Sequence, residues 1–157
     1  MLAENIMVTE LTTAHVNDRV SDVLDRMRVA KLRMLPVLTD DGVVAGVIST
    51  FSIMAHLVPD YITSGDLKQI TYAPDMGILR RHYFEIIEKD LLSVMETRPL
   101  LVQRDESLLS TAAALTAFGK HEYALVVDEE KRLIGVISAG DILDRLGTMV
   151  VSAENNA

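Results

Sequence analysis

The chain has 157 residues, 49% hydrophobic and 24% charged, which is enough apolar matter for one core or two small ones and excludes wholesale disorder. It carries no cysteine, which excludes disulfide frameworks, thiolate metal sites and thiol nucleophiles, while a formal charge of −8 and 4% aromatics argue against a nucleic-acid surface. Glu4 stands where a secretory signal would be basic and no apolar run approaches bilayer length, so a cytoplasmic protein with neither nucleic-acid nor membrane partners is expected.

From the start of the chain, Ile6-Met7 leads into Asn17-Asp18-Arg19-Val20. Asp18 is a candidate helix start, because Val20, Val23, Leu24 and Met27 then recur at helical spacing. Two apolar runs, Leu35-Pro36-Val37-Leu38 and Val43 to Ser49, flank the acidic turn Thr39-Asp40-Asp41-Gly42, which is a hairpin signature. Thr50-Phe51-Ser52-Ile53-Met54 opens a second helix. The stretch from Pro59 to Lys89 is punctuated by Pro59 and Pro74. Its apolar positions Ile78, Leu79, Tyr83, Ile86 and Ile87 predict an amphipathic helix over Asp75–Asp90. Such a stripe needs cover from its own chain, a second subunit or a regulated protein, and a contribution to a homodimer is expected. The cluster Arg80-Arg81-His82 reads as a solvated helix face.

The pattern then repeats. Val94-Met95 matches Ile6-Met7, and Asp105 in Arg104-Asp105-Glu106-Ser107-Leu108 is the second candidate helix start. Leu108, Leu109, Ala112, Ala113 and Leu115 continue at helical spacing. Ala124 to Ser138 superimposes on Leu35 to Ser49, and Ala139-Gly140-Asp141-Ile142-Leu143 opens a last helix, followed by a loose tail. Each unit is β–α–β–β–α, too small to be comfortable alone, so the two should pair through their sheets. The predicted fold is α/β of the α+β type: a first repeat over 1–58, a linker with an amphipathic helix over 59–89, a second repeat over 90–148 and a flexible tail over 149–157.

Chemistry is sparse. Ser138 and Asp141 stand three apart at a strand-to-helix junction, a spacing that by itself reads first as a capping box, while a carboxylate there can also accept two bonds from a vicinal diol. His15, His56, His82 and His121 are scattered, so no metal site is expected, and no nucleophile elbow or phosphate-binding glycine loop is present. The methionines, Met7, Met27, Met34, Met54, Met76, Met95 and Met149, read mostly as core fillers.

These residues resemble the CBS domain, a β–α–β–β–α module that occurs in tandem. The resemblance rests on Ile6-Met7 before Thr13-Ala14, on Leu35-Pro36-Val37, and on Gly46-Val47-Ile48-Ser49. In the second copy it rests on Val94-Met95, Leu125-Val126-Val127-Asp128, and Gly135 to Leu143. It implies two repeats stacked sheet to sheet with pseudo-two-fold symmetry, a homodimer, and a regulatory rather than enzymatic role. The ligand implied is adenosyl: AMP, ADP, ATP or S-adenosylmethionine, sensed on behalf of an unknown regulated protein. A ligand-free homodimeric interaction module is the alternative.

The resemblance further assigns the ribose to Asp141 with Ser138 nearby, and Gly140 would leave room for the ligand. The adenine-facing wall would come from Val8, Leu11 and Thr12. Arg33 and Met34 would approach the ligand, Arg33 as the phosphate contact, and Tyr123 would stack or hydrogen-bond. Glu122 beside Tyr123 would repel a polyphosphate, favouring a monophosphate or S-adenosylmethionine. In the first copy Ser52 replaces the aspartate and bulky Phe51 replaces Gly140, so one good site per chain is expected.

Overall fold

The computed structural model describes residues 1–59, 76–119 and 123–157. Pro74, Asp75, His121 and Glu122, on which some expectations rest, lie outside them. The strands are β1 (Ala14–His15), β2 (Met34–Leu38), β3 (Val44–Ser49), β4 (Leu101–Gln103), β5 (Tyr123–Val127) and β6 (Leu133–Ser138). The helices are α1 (Val20–Ala30), α2 (Thr50–Leu57), α3 (Met76–Ile86), α4 (Leu108–Phe118) and α5 (Ala139–Asn155). This is the expected mixed α/β architecture, with two three-stranded sheets ordered β1-β2-β3 and β4-β5-β6. β1 runs parallel to β2, with Ala14 opposite Val37, and β4 runs parallel to β5, with Leu101 opposite Leu125. β5 and β6 form the antiparallel hairpin that the second apolar repeat predicts, with Tyr123 opposite Ser138. No helix among the described residues is long and apolar enough to cross a membrane.

The chain condenses into two compact units, one of residues 12–39 and 45–97, the other of 1–11, 40–44 and 98–157. The segments that lead into each repeat are therefore exchanged. Ala3, in a short 3₁₀ turn, is fully buried with Val102, Leu115, Ala124, Val126, Ile137 and Ile142 of the second repeat. Leu91 and Val94 are buried with Val20, Val23, Met27, Leu35, Val37 and Ile48 of the first. Glycine makes each exchange possible. A Cβ on Gly135 would sit 2.6 Å from Met7 Sδ, and one on Gly46 would collide with the Glu96 carbonyl oxygen and approach Met95 Sδ at 3.2 Å. With no side chain there, Val8 and Val136 exchange backbone bonds of 2.9 and 3.0 Å, and Glu96 and Val47 exchange bonds of 2.8 and 3.0 Å.

The helices open at Thr50 and Ala139 as expected, but the caps of α1 and α4 differ from expectation. The α1 N-cap is Arg19, and no side chain caps it. Its first amides are taken instead by main-chain carbonyls after α3: Val20 N–H donates to Lys89 O at 3.1 Å and Ser21 N–H to Ile87 O at 3.0 Å. Asp18 turns back, its Oδ2 accepting from the His15 amide at 2.9 Å and from Arg26 Nη1 at 3.0 Å. Burial raises its pKa, but the His15 amide and the Arg26 guanidinium outweigh that and hold the carboxyl below its ordinary value. α4 is capped by Ser107 rather than Asp105, with Ser107 Oγ accepting from Ser110 N–H at 3.1 Å.

The insert helix α3 spends part of its stripe on its own chain. Ile86 is buried in the α1–β2–β3 core and Leu79 packs against it, whereas Tyr83 is 41% exposed. Met27 is a core filler as read, but Met54, Met76 and Met149 are exposed, as is Leu109, while buried Thr111 closes its hydroxyl onto Ser107 O at 3.0 Å. The expected loose tail is instead the second half of α5, which continues to Asn155. Gly147 does not stop it, because a glycine whose φ stays negative weakens a helix without breaking it.

Candidate functional site

The β6-to-α5 junction forms the capping box that the Ser-x-x-Asp spacing allows. Ser138 is the N-cap, its Oγ accepting from Asp141 N–H at 3.0 Å, and Asp141 Oδ2 accepts from Ser138 N–H at 2.7 Å. The capping box thus uses one carboxylate oxygen. Asp141 Oδ1 takes no hydrogen bond among the described residues, and a carboxylate has room for about four donors in all. It sits in the first turn of α5, where the aligned peptide dipoles favour negative charge. A Cβ on Gly140 would meet only Ser138 Oγ, at an ordinary 3.5 Å, so the chain's own packing does not require glycine there.

Beside Asp141 lies a pocket of about 380 Å³ lined by Asn5, Ile6, Met7, Asp141, Asp144, Arg145 and Thr148. Its floor and wall come from parts of the chain far apart in sequence, held by the Val8–Val136 bonds. Asn5 Oδ1 is occupied by the Leu2 amide at 2.7 Å, which turns its side-chain NH₂ into the free, donating end. Ile6 and Met7 offer half-buried apolar surface. Arg145, one helical turn after Asp141, brings a cation to the same face. The pocket thus offers a carboxylate acceptor, an amide donor, a guanidinium and an apolar wall.

The sequence-derived residues are distributed as follows. Ser138, Asp141 and Tyr123 converge, since Tyr123 is the cross-strand partner of Ser138 and is half-buried. Val8 and Leu11 belong to the same compact unit, but the pocket wall is Asn5 to Met7, just before them, while Val8 is 45% exposed. Thr12, Arg33 and Met34 belong to the other unit. There the Arg33 side chain is exposed while its carbonyl accepts from Thr50 N–H at 2.9 Å, and Met34, half-buried, opens β2. Sequence reasoning missed Asn5, Asp144 and Arg145. The helical spacing from Asp141 to Arg145 was the available signal.

The first-copy junction has a different chemistry. Ser49 Oγ accepts from Ser52 N–H at 2.9 Å, and Ser52 Oγ both accepts from Ser49 N–H and donates to Ser49 O, each at 3.0 Å. That cap consumes the one hydroxyl proton of Ser52, and no charge is left to receive a diol. Among the described residues no group of three or more histidines or carboxylates could hold a metal ion.

The sequence matches the CBS domain family twice, over residues 3–59 and 89–148. An uncharacterised protein of Methanocaldococcus jannaschii, MJ1426, is 27% identical over 157 residues, covering 93% of this chain and 91% of that protein. The chloroplastic CBS domain-containing protein CBSX2 of Arabidopsis thaliana is 26% identical over 147 residues, covering 89% of this chain and 58% of that protein. The crystal structure of CBSX2 in complex with AMP has a TM-score of 0.71 at 21% identity, covering 94% of this chain and 97% of that one. The CBS domain pair of protein MJ0100, in complex with 5′-methylthioadenosine and S-adenosyl-L-methionine, has a TM-score of 0.66 at 15% identity, covering 95% and 98%. At such identities the structural likeness speaks to the fold.

Proposed function

The chain belongs to the CBS domain family, and we propose that it is a regulatory CBS pair that binds one adenosyl ligand beside Asp141 and relays its occupancy to a partner protein. The observation that carries this reading is the Asp141 carboxylate itself. It holds its own helix cap with one oxygen, leaves the other without a hydrogen bond among the described residues, and lines a pocket of about 380 Å³. A ribose diol needs that acceptor. Ser138 and Tyr123 flank it on paired strands, and Arg145, which lines the same pocket, supplies a cation for a phosphate. The relatives solved with AMP and with S-adenosylmethionine support the adenosyl class. The function is regulatory rather than catalytic. Exposed Leu143, Leu146 and Val150 on α5 support an interface with a second copy, so the working form is a homodimer.

The test is titration calorimetry with AMP and with S-adenosylmethionine on the wild type, Asp141→Asn and Gly140→Ala. Asparagine keeps an oxygen for the Ser138 amide and so spares the cap, but it lacks the charge that strengthens diol bonds. Affinity should fall at least tenfold, about 1.4 kcal/mol. Gly140→Ala should leave the fold intact and also weaken binding. Unchanged affinity in both folded variants would remove Asp141 from the site. No thermal shift of the wild type with AMP, ADP, ATP or S-adenosylmethionine would instead favour the ligand-free interaction module.

A further inference from the structure

The internal repeat gives every residue of the Asp141 pocket a counterpart in the first copy. Gly135, Ser138 and Asp141 correspond to Gly46, Ser49 and Ser52, and Arg145 then corresponds to His56. The exchanged lead-in segments correspond as well. The 3₁₀ turn Ala3–Asn5 matches Leu91–Ser93, so Asn5 and Ile6 match Ser93 and Val94. The two main-chain bridges, Val8 with Val136 and Glu96 with Val47, repeat this register.

A pocket does exist at the first-copy counterpart, lined by His56, Ser93 and Val94, the residues that stand for Arg145, Asn5 and Ile6. The rest of its lining has no counterpart in the lining of the Asp141 pocket. His82, Glu85 and Ile86 come from α3, and Lys89 follows it. The space is about 160 Å³ against about 380 Å³ beside Asp141, and Ser52 is not among its lining residues. α3 is fastened there. His82 Nδ1 pairs with Leu57 O, the last carbonyl of α2, at 2.9 Å, and Ile86 is anchored in the core. The Ile87 and Lys89 carbonyls cap α1.

We propose that helix α3 is a built-in occupant of the first repeat's ligand pocket, so that the chain offers one adenosyl site by two independent means: a missing carboxylate and a filled cleft. This rests on the assignment of the Asp141 pocket to a ligand. It also gives the insert a role within its own unit, apart from any dimer. His82, Glu85 and Lys89 supply the part of the lining that can be trimmed without touching the core, since Ile86 alone of the four is buried.

Two measurements test it. Calorimetry with AMP should find one site on the wild type, still one on Ser52→Asp, and two on Ser52→Asp combined with His82→Ala, Glu85→Ala and Lys89→Ala. Two sites on Ser52→Asp alone, or one site on the folded combined variant, would overturn the proposal while leaving the Asp141 site standing. The absence of any AMP binding to the wild type would count against the nucleotide reading instead. The second measurement needs no nucleotide. The chain has no cysteine, so Ser52→Cys and Asp141→Cys each provide a single reporter thiol. A bulky maleimide should label Ser52→Cys at least tenfold more slowly than Asp141→Cys, and the triple alanine change should close that gap. Equal labelling rates with α3 intact would show that the helix does not cover the cleft.

Discussion

Gly135→Ala should loosen the exchanged segment and the wall of the Asp141 pocket together. The added Cβ would lie 2.6 Å from Met7 Sδ, 2.7 Å from Cγ and 2.8 Å from Cβ, where unstrained carbon contacts want about 3.5–4.0 Å. The thioether can swing aside, but the Met7 Cβ moves only with its backbone. That backbone is tied by the Met7 amide to Ala3 O at 3.1 Å and, one residue on, by the paired Val8–Val136 bonds. Overpacking of this kind costs about 1–3 kcal/mol. Losing one or both Val8–Val136 bonds adds about 0.5–1.5 kcal/mol each, and the ordinary gain from replacing a strand glycine returns under about 1 kcal/mol. The net expectation is about 2–4 kcal/mol, a drop in melting temperature on the order of 5–15 °C for a chain of this size. Urea and thermal unfolding followed by circular dichroism measure it, with Met7→Ala as the second arm of a double-mutant cycle. The Gly135→Ala penalty should shrink by at least about 1 kcal/mol in that background, because Sδ and Cγ are gone. A loss under about 0.5 kcal/mol for Gly135→Ala, or a penalty unchanged by Met7→Ala, would refute the close-approach reasoning.

Gly46→Ala should be the more damaging change of the pair, since its Cβ meets the Glu96 carbonyl rather than a flexible thioether; comparing the two unfolding midpoints checks this. Gly147→Ala should have the opposite sign: nothing lies within 4 Å of its Cβ position, so the α5 helix should gain about 0.5–1 kcal/mol, read as a raised melting temperature. Asp18→Asn should cost about 1 kcal/mol at neutral pH, discounted for the 26% and 38% exposure of Asp18 and Arg26. Because the folded pKa is depressed, this contribution is present above the unfolded carboxyl's pKa of about 3.9 and is lost as pH falls through the folded value. Urea midpoints of wild type and variant should therefore converge in acid, and a gap that persists or widens there would contradict the pairing.

What the sequence determines by itself is whatever operates within a few residues or through internal repetition. The hairpin Tyr123–Ser138 was legible because apolar runs around an acidic turn pair locally. The Ser138–Asp141 cap was legible because its partners are three residues apart. The asymmetry between Asp141 and Ser52 was visible by laying one copy over the other. Tertiary structure decided everything that couples distant parts of the chain. Periodicity marks Val20 as core but cannot show that carbonyls at Ile87 and Lys89 will cap its helix, which freed Asp18 to bind Arg26 instead. A small residue at 135 reads as a strand irregularity until Met7 is found against it. The pocket wall of Asn5, Ile6 and Met7, and the α3 residues over the first-copy counterpart, arise from the same cause. Main-chain bonds and buried apolar contacts between remote segments leave no local period in the sequence, so only the folded chain determines which segment covers which cleft.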